Sequence, residues 1–482
     1  MDRNKRVIFC LLVITLFGSV ALSKEALKFS LFPINASLQI HKVNSAGEYI
    51  LFKHLNKNLI EFDQDGHLYG DLAEKWKISN DRKEYLFTLR ENIVFSDGSQ
   101  ITSKDVASSF SDIKKKGGGI HFDFSNIKSV DLITDKSFKI ILKKTTPRFL
   151  RNLVHPEFGI RKMQYLRIDE YNVTSGCYKL KEKNIDNIVL EKNNTCSDFK
   201  NDVKTLSFSF VAPSEQQKSI LAKDKDFYIS FMKPEDLINA VSNGKYLVEK
   251  PHIGFTFWLS VNPKSTVFKS KRDRDFFYSV FKKNFVIFSN DVSIEIAQQL
   301  YLPKGPGRLK NEEIEAIVSK KASSKSDLSS KSIKVLLPVV FEHNKKIIDI
   351  LKENFKTVKI DYYNDQDEFV KKKYSKYDLF LINNDFSSLD LYENLSVSFN
   401  PVRPLIYSNA KIKKLLHTLK DTIDEKDAYE LYKSIGRALL EDSLIVPVVH
   451  KNILFIKSKD LDISAWSQQF PEISAWKIKI NK

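Results

Sequence analysis

The sequence predicts an α/β protein assembled from more than one domain, and three observations carry that reading. The chain is 482 residues long, whereas a single hydrophobic core stops growing at roughly 250–300 residues. Apolar residues make up 42% and charged residues 28%, the balance of a globular chain. Between Ile333 and Ile382 the pattern runs strand, helix, strand, helix, strand, the order that gives a parallel sheet with helices on its faces.

Taken in order, Leu27–Leu31 reads as a strand, and Glu48–Leu59 as a helix through Ile50, Leu51, Leu55 and Leu59. Tyr85, Phe87 and Leu89 alternate as a half-buried strand before an Asp97-Gly98 turn. Thr102 and Asp105 form a capping box that opens a helix bearing Val106 and Phe110. Further strands are expected over 138–142, 188–190, 206–211 and 255–261. Residues 320–332 carry Lys, Ser, Ala and Asp around a single Leu328 and read as an exposed linker. Beyond it come a strand over 333–340, a helix over 343–355, a strand over 358–362, a helix over 366–374 and a strand over 377–382. Helices at 410–419 and 427–440 and strands at 444–449 and 453–456 complete the chain.

The first residues have the build of a secretory signal. Arg3, Lys5 and Arg6 precede an apolar run from Val7 to Phe17, and small residues follow up to Ser23. The run is shorter than the ~20 residues a membrane span needs, so cleavage near Ser23 and export to the periplasm are expected. Cys10 lies inside the apolar run rather than at its end, which argues against a lipid anchor. Cys177 and Cys196 are then the remaining thiols. An oxidising compartment permits one disulfide between them, with two separate buried thiols as the alternative.

Net charge is +17, or +15 (74 basic against 59 acidic side chains) once residues 1–23 are set aside. The lysines are spread along the chain among acids, which reads as a solvated surface and not as a nucleic-acid face. Enzyme signatures are missing from the sequence. It has no Gly-x-Ser-x-Gly elbow, no His-Glu-x-x-His pair and no phosphate loop, and Lys114-Lys115-Lys116-Gly117-Gly118-Gly119 lacks the context of a dinucleotide fingerprint. Its nine histidines include no pair at helical spacing. No cofactor and no metal site are expected.

A longer pattern is more specific. Asp71-Leu72-Ala73-Glu74-Lys75-Trp76 leads through Tyr85-Leu86-Phe87-Thr88-Leu89-Arg90 to Val94-Phe95-Ser96-Asp97-Gly98 and Thr102-Ser103-Lys104-Asp105-Val106. It resembles the signature of extracellular solute-binding protein family 5, the oligopeptide-, dipeptide- and nickel-binding proteins of bacterial ABC importers. Thr174-Ser175-Gly176-Cys177-Tyr178-Lys179-Leu180 is similar to a further family element, with cysteine where the family has proline. Trp258–Asn262, Ala297–Gly305, Tyr377-Asp378 and Ile445-Val446-Pro447 also have counterparts.

The resemblance implies the two-lobed periplasmic-binding-protein fold of the large peptide-binding type (cluster C, type II), with an inserted subdomain and a two-strand hinge. A first lobe would gather residues 24–60, 174–262 and 456–482, with the inserted subdomain over 61–173 and an α/β lobe over 263–455. The hinge would lie near 255–262 and 448–456. The implied function is capture of a short peptide, or a similar amine-bearing solute, between the lobes by a monomer that delivers it to importer permeases. The alternatives are a nickel-chelate or sugar binder of the same family, or a receptor-like binder uncoupled from transport. In peptide-binding relatives an aspartate after the Tyr-Asp strand pairs with the peptide ammonium. Asp385 takes that place here, flanked by Asn384 and Phe386. The chain carries Asn383-Asn384 and Ser387-Ser388 where the family has Gly-Trp and a following proline. Asn44, Ser45 and Ala46 on the first lobe, and Trp258 on the hinge strand, complete the candidate ligand set.

Overall fold

The structure, a computed structural model, describes residues 24–481 apart from 32–37, 118–121, 166–170, 212–219, 231–243, 250–253, 287–293, 302–306, 386–409 (Leu395 excepted), 467–472 and stretches of three residues or fewer. Two mixed sheets organise it. The first has seven strands in the spatial order Tyr246–Glu249, Leu454–Ser458, Phe227–Ser230, Ala26–Leu31, Thr205–Phe210, Asn187–Lys192 and Tyr178–Lys183. The second has six, in the order Ile294–Ile296, Ile445–Asn452, Gly254–Val261, Leu379–Asp385, Ser332–Pro338 and Thr357–Tyr363. A smaller antiparallel sheet of four strands, Ala73–Ile78, Glu84–Leu89, Ser137–Leu142 and Ile127–Leu132, carries much of the signature pattern.

Alternation explains these strands. In Ala26–Leu31 the residues Leu27, Phe29 and Leu31 are fully buried, as period-two patterning requires of a strand with one face on a core. In Glu84–Leu89 the buried positions are Tyr85, Phe87 and Leu89. The three strands Ser332–Pro338, Thr357–Tyr363 and Leu379–Asp385 are mutually parallel, joined by the helix Asn344–Asn354 and a connection that includes part of the expected helix at 366–374. The remainder of that helix lies outside the described residues.

Two apolar cores correspond to the two sheets. One runs without interruption from Leu27 and Phe29 through Phe87, Phe138 and Phe158 to Trp466 and Ile478, so the four-stranded sheet shares its core with the seven-stranded one. The other gathers Trp258, Phe277, Leu336, Leu381, Ile435 and Val446 around the six-stranded sheet. The chain passes between the sheets twice, side by side. Tyr246–Glu249 and Gly254–Val261 belong to different sheets, and so do Ile445–Asn452 and Leu454–Ser458, with Ile453 alone between the second pair. Gly254 pairs with Asn452 and Glu249 with Phe455, which makes a two-strand hinge.

The signature residues hold local geometry. Asp97 accepts hydrogen bonds from the Ser99 N–H (3.1 Å) and hydroxyl (2.6 Å), and Gly98 has φ +82°, a conformation glycine adopts without steric cost. The Asp105 carboxylate accepts from the Thr102 N–H at 3.0 Å and closes the first turn of Ser103–Lys115. Cys177 and Cys196 are joined in a disulfide, with Cα atoms 5.1 Å apart. Beside it Lys57, two residues past the helix Ala46–Leu55, pairs with Asp71 at 3.2 Å and with Asp198.

Two expectations need correction. The first helix ends at Leu55, not Leu59. Leu59 turns out of the helix because its carbonyl accepts from the N–H groups of Asp71 (3.0 Å) and Ala73 (2.9 Å), so long-range pairing overrides the helical spacing. The polar stretch 320–332 is not simply an exposed linker either. Lys321 is 2% exposed, because its ammonium donates to Asp275 (3.0 Å), Ser443 (2.6 Å) and the Glu441 carbonyl (3.2 Å). Leu328 is buried as well. A lysine-rich composition conceals a buried charge whose partners come from distant parts of the chain.

Candidate functional site

The parallel strands fix where a ligand site belongs. Ser332–Pro338, Thr357–Tyr363 and Leu379–Asp385 end at one edge of the six-stranded sheet. Gly254–Val261 runs antiparallel beside them, and its first residues face Asp385: Phe255 pairs with Asp385, Thr256 with Asn384 and Phe257 with Asn383. That same edge is where the chain crosses to the other sheet. Open α/β sheets bind ligands outside the carboxyl ends of their strands, and here that position is next to the hinge.

Aromatic rings cover part of this edge. Phe257 stacks on Phe341, three residues past Pro338, with ring centroids 4.7 Å apart. His343 meets Phe341 edge-on at 5.5 Å. Below the edge Thr256 Oγ1 and His450 Nδ1 are 2.9 Å apart, both residues buried. Burial, reinforced by the positive charges of Arg308 and Lys282, pushes His450 down to about 3, so its imidazole is neutral at physiological pH. Burial alone pushes Lys282 down to about 8. Its ammonium donates to the carbonyls of Ala297 (2.6 Å) and Pro447 (3.2 Å).

The candidate ligand residues fall as follows. Asp385 is the last residue of its strand, two positions from Asn383, and Asn384 lies between them. Phe386, Asn44 and Ser45 lie outside the described residues. Ala46 is the first residue of Ala46–Leu55, the helix that packs Ile50, Leu51, Phe52 and Leu55 into the first core. Asp385 and Ala46 therefore lie on elements of different cores. Trp258 has a packing environment. Its ring is fully buried in the second core and its N–H donates to Ser260 Oγ at 3.1 Å. Its aromatic neighbour Phe257 lies on the opposite face of the strand and is the one that joins the aromatic group at the edge.

The basic residues around His450 and the Phe257–Phe341 stack escaped the sequence reading. Isolated Lys, Arg and His positions 26 to 142 residues apart give no periodic signal. Only the pairing of Gly254–Val261 with Ile445–Asn452 brings Thr256 against His450.

Two sheets joined by two adjacent strand crossings, with parallel strand ends at the crossing, define a two-lobed α/β architecture. Solved structures agree. NikA from Brucella suis, in complex with Fe(III)-EDTA, superposes with a TM-score of 0.78 at 17% identity, covering 95% of this chain and 100% of that one. Residues 67–275 match the model of bacterial extracellular solute-binding proteins, family 5 Middle. The probable D,D-dipeptide-binding periplasmic protein DdpA of Escherichia coli is 26% identical over 43% of this chain and 44% of its own length. The periplasmic oligopeptide-binding protein OppA of Salmonella typhimurium is 29% identical over 33% and 34%. The matched stretch thus spans less than half the length of these two relatives.

Proposed function

We propose that the chain is an exported solute-binding protein that captures a short peptide between its lobes and presents it to the permease of an ABC importer. The observation that carries this reading is the placement of Asp385, an acidic residue ending a parallel strand beside the two-strand hinge. DdpA and OppA, named for dipeptide and oligopeptide binding, support the ligand class. The signal-like segment with its end near Ser23 supports periplasmic location.

Asp385 holds the ligand's α-ammonium by a charge-assisted hydrogen bond, with Asn384 and Phe386 beside it and Asn44, Ser45 and Ala46 approaching from the first lobe. Main-chain hydrogen bonds to an extended peptide add affinity without demanding particular side chains. A ligand that touches both lobes favours the closed arrangement by its differential affinity for that state, and the permease reads the closed form. Calorimetry with a peptide library tests the assignment. Asp385→Asn should weaken binding by about 3–5 kcal/mol, because an ammonium then loses its counter-charge on burial, and N-acetylation of the peptide should do the same. Unchanged affinity in both experiments refutes the ammonium assignment.

A further inference from the structure

Between the adjacent strands Asn187–Lys192 and Thr205–Phe210 the chain makes a long connection, residues 193–204, with no helix or strand of its own. Hairpin connections usually take about two to five residues, and a longer one without internal structure is held only by what it touches. Its apolar anchors are few. Val203 is buried, and the half-buried Phe199 meets the Tyr178 ring edge-on at 5.3 Å.

The rest of its attachment is polar and reaches three separate parts of the chain. Thr195 shares its hydroxyl between Asn193 Oδ1 (2.7 Å) and the Phe95 carbonyl (3.3 Å). Phe95 belongs to the turn 94–98, where Ser96 N–H donates to the Thr174 carbonyl at 2.9 Å. Asp198 accepts from Lys57, which also holds Asp71 at 3.2 Å where the chain enters the four-stranded sheet. Lys200 N–H donates to the Trp476 carbonyl at 2.8 Å, and the Asn201 amide donates to the carbonyls of Ala475 and Ile478, both at 2.8 Å. The connection is a strap across the seam where the turn 94–98, the start of the four-stranded sheet and the C-terminal segment 475–478 meet. Each of these contacts is weak by itself.

One covalent tie fixes the strap. Cys196 is bridged to Cys177 at the start of Tyr178–Lys183. Asn193 braces the tie, its N–H donating to the Cys177 carbonyl (2.9 Å) and its Nδ2 to the Gly176 carbonyl (2.8 Å). Thr195 and Asp198 stand one and two residues from Cys196, so their contacts are made at high effective concentration only while the bridge holds that point. Cys177 is buried and Cys196 is half-buried, which leaves Cys196 as the sulfur an incoming thiolate can reach.

We propose that the Cys177–Cys196 bridge is a redox-sensitive latch on this strap. Closed, it holds the seam together. Opened by a protein dithiol, it releases the strap and loosens the turn 94–98 and the C-terminal segment from the first lobe. The opening is thiol–disulfide exchange in two balanced steps. A thiolate of the reductant attacks Cys196 Sγ, the S–S bond breaks, and Cys177 leaves as a thiolate and takes up a proton. The reductant's second thiolate then attacks its own sulfur in the mixed disulfide, Cys196 leaves and is protonated, and the reductant departs as a disulfide.

Hydrogen exchange read by mass spectrometry tests this on the full protein in three forms: oxidised, reduced by thioredoxin without denaturant, and carrying Cys177→Ser with Cys196→Ser. Opening the bridge should speed exchange at least about tenfold over 94–98 and 474–478, while the six-stranded sheet around Leu336 and Leu381 stays protected. Reoxidation of the wild type should restore the protection. The reduced wild type carries the test where the double variant does not fold. Faster exchange confined to 177–204 overturns the latch, because the bridge is then a local staple. Uniform loss of protection throughout the first lobe overturns it as well, being plain destabilisation. A bridge that thioredoxin opens only after unfolding in urea also refutes the switch.

Discussion

Replacing Asp275 with asparagine should destabilise the second lobe far more than a one-atom change suggests. Asp275 lies in the helix Lys271–Asn284 and is 7% exposed. Its carboxylate accepts from Lys271 Nζ (2.5 Å), Lys321 Nζ (3.0 Å) and Ser443 Oγ (2.7 Å). Burial on its own would raise its pKa. The hydrogen bonds from Lys271, Ser443 and Lys321 outweigh burial and hold the carboxyl below its ordinary range. Lys321 uses its three N–H groups on Asp275, Ser443 and the Glu441 carbonyl, and its ammonium sits 5.1 Å from the Tyr278 ring centroid. Removing the negative charge leaves this ammonium buried without compensation, which costs about 3–5 kcal/mol. For a lobe of this size each kcal/mol lowers the melting temperature by roughly 2–4 °C, so calorimetric melts should show the second lobe unfolding about 6–20 °C earlier. Replacing both partners together, Asp275→Leu with Lys321→Met, should recover most of the loss, since no charge is then stranded. A loss below about 1 kcal/mol for Asp275→Asn, the range of exposed ion pairs, would refute the claim that this network is desolvated.

Three further outcomes are expected. Thiol titration of the unfolded, unreduced protein should find Cys177 and Cys196 unreactive, and reduction should cost roughly 3 kcal/mol for the loop of about twenty residues that the bridge closes; two reactive thiols would contradict the pairing. Gly254→Ala places a Cβ within 2.3 Å of the Lys451 carbonyl oxygen at the strand crossing, and should cost about 1–3 kcal/mol by overpacking while lowering ligand affinity. Unchanged melting and binding would show that the two crossing strands tolerate separation. Asp97 is held down at about 2, where burial would raise it but Lys162 and Ser99 prevail. Its folded pKa lies below its unfolded value of 3.8, so its contribution is complete above that value and fades as pH falls towards 2. Asp97→Asn should therefore flatten the pH dependence of the melting temperature between about 4 and 2, and an unaltered acid profile would argue against the Asp97–Lys162 contact.

Legibility in the sequence followed the range of the interactions. Strands such as Ala26–Leu31 and Glu84–Leu89 were readable because alternation is local. The parallel order of Ser332–Pro338, Thr357–Tyr363 and Leu379–Asp385 was readable because intervening helices permit few other arrangements. Asp385 was located only through resemblance to the family, since one aspartate at a strand end has no local signal. Lys321 was misread because composition reports polarity and not burial. The Thr256–His450 contact and the buried Lys282 beside it were out of reach, because they exist only after Gly254–Val261 pairs with Ile445–Asn452. Trp258 drew attention as a large aromatic on the hinge strand, yet strand alternation turns it into the core and turns Phe257 towards Phe341.

The central claim is that a short peptide with a free amino end occupies the space between the lobes. Native mass spectrometry of the full protein purified from its native cell tests this most directly, followed by sequencing of whatever is released on unfolding. The account predicts a bound population of short peptides, lost from Asp385→Asn. A co-purified sugar or metal chelate, retained equally by Asp385→Asn, would contradict it.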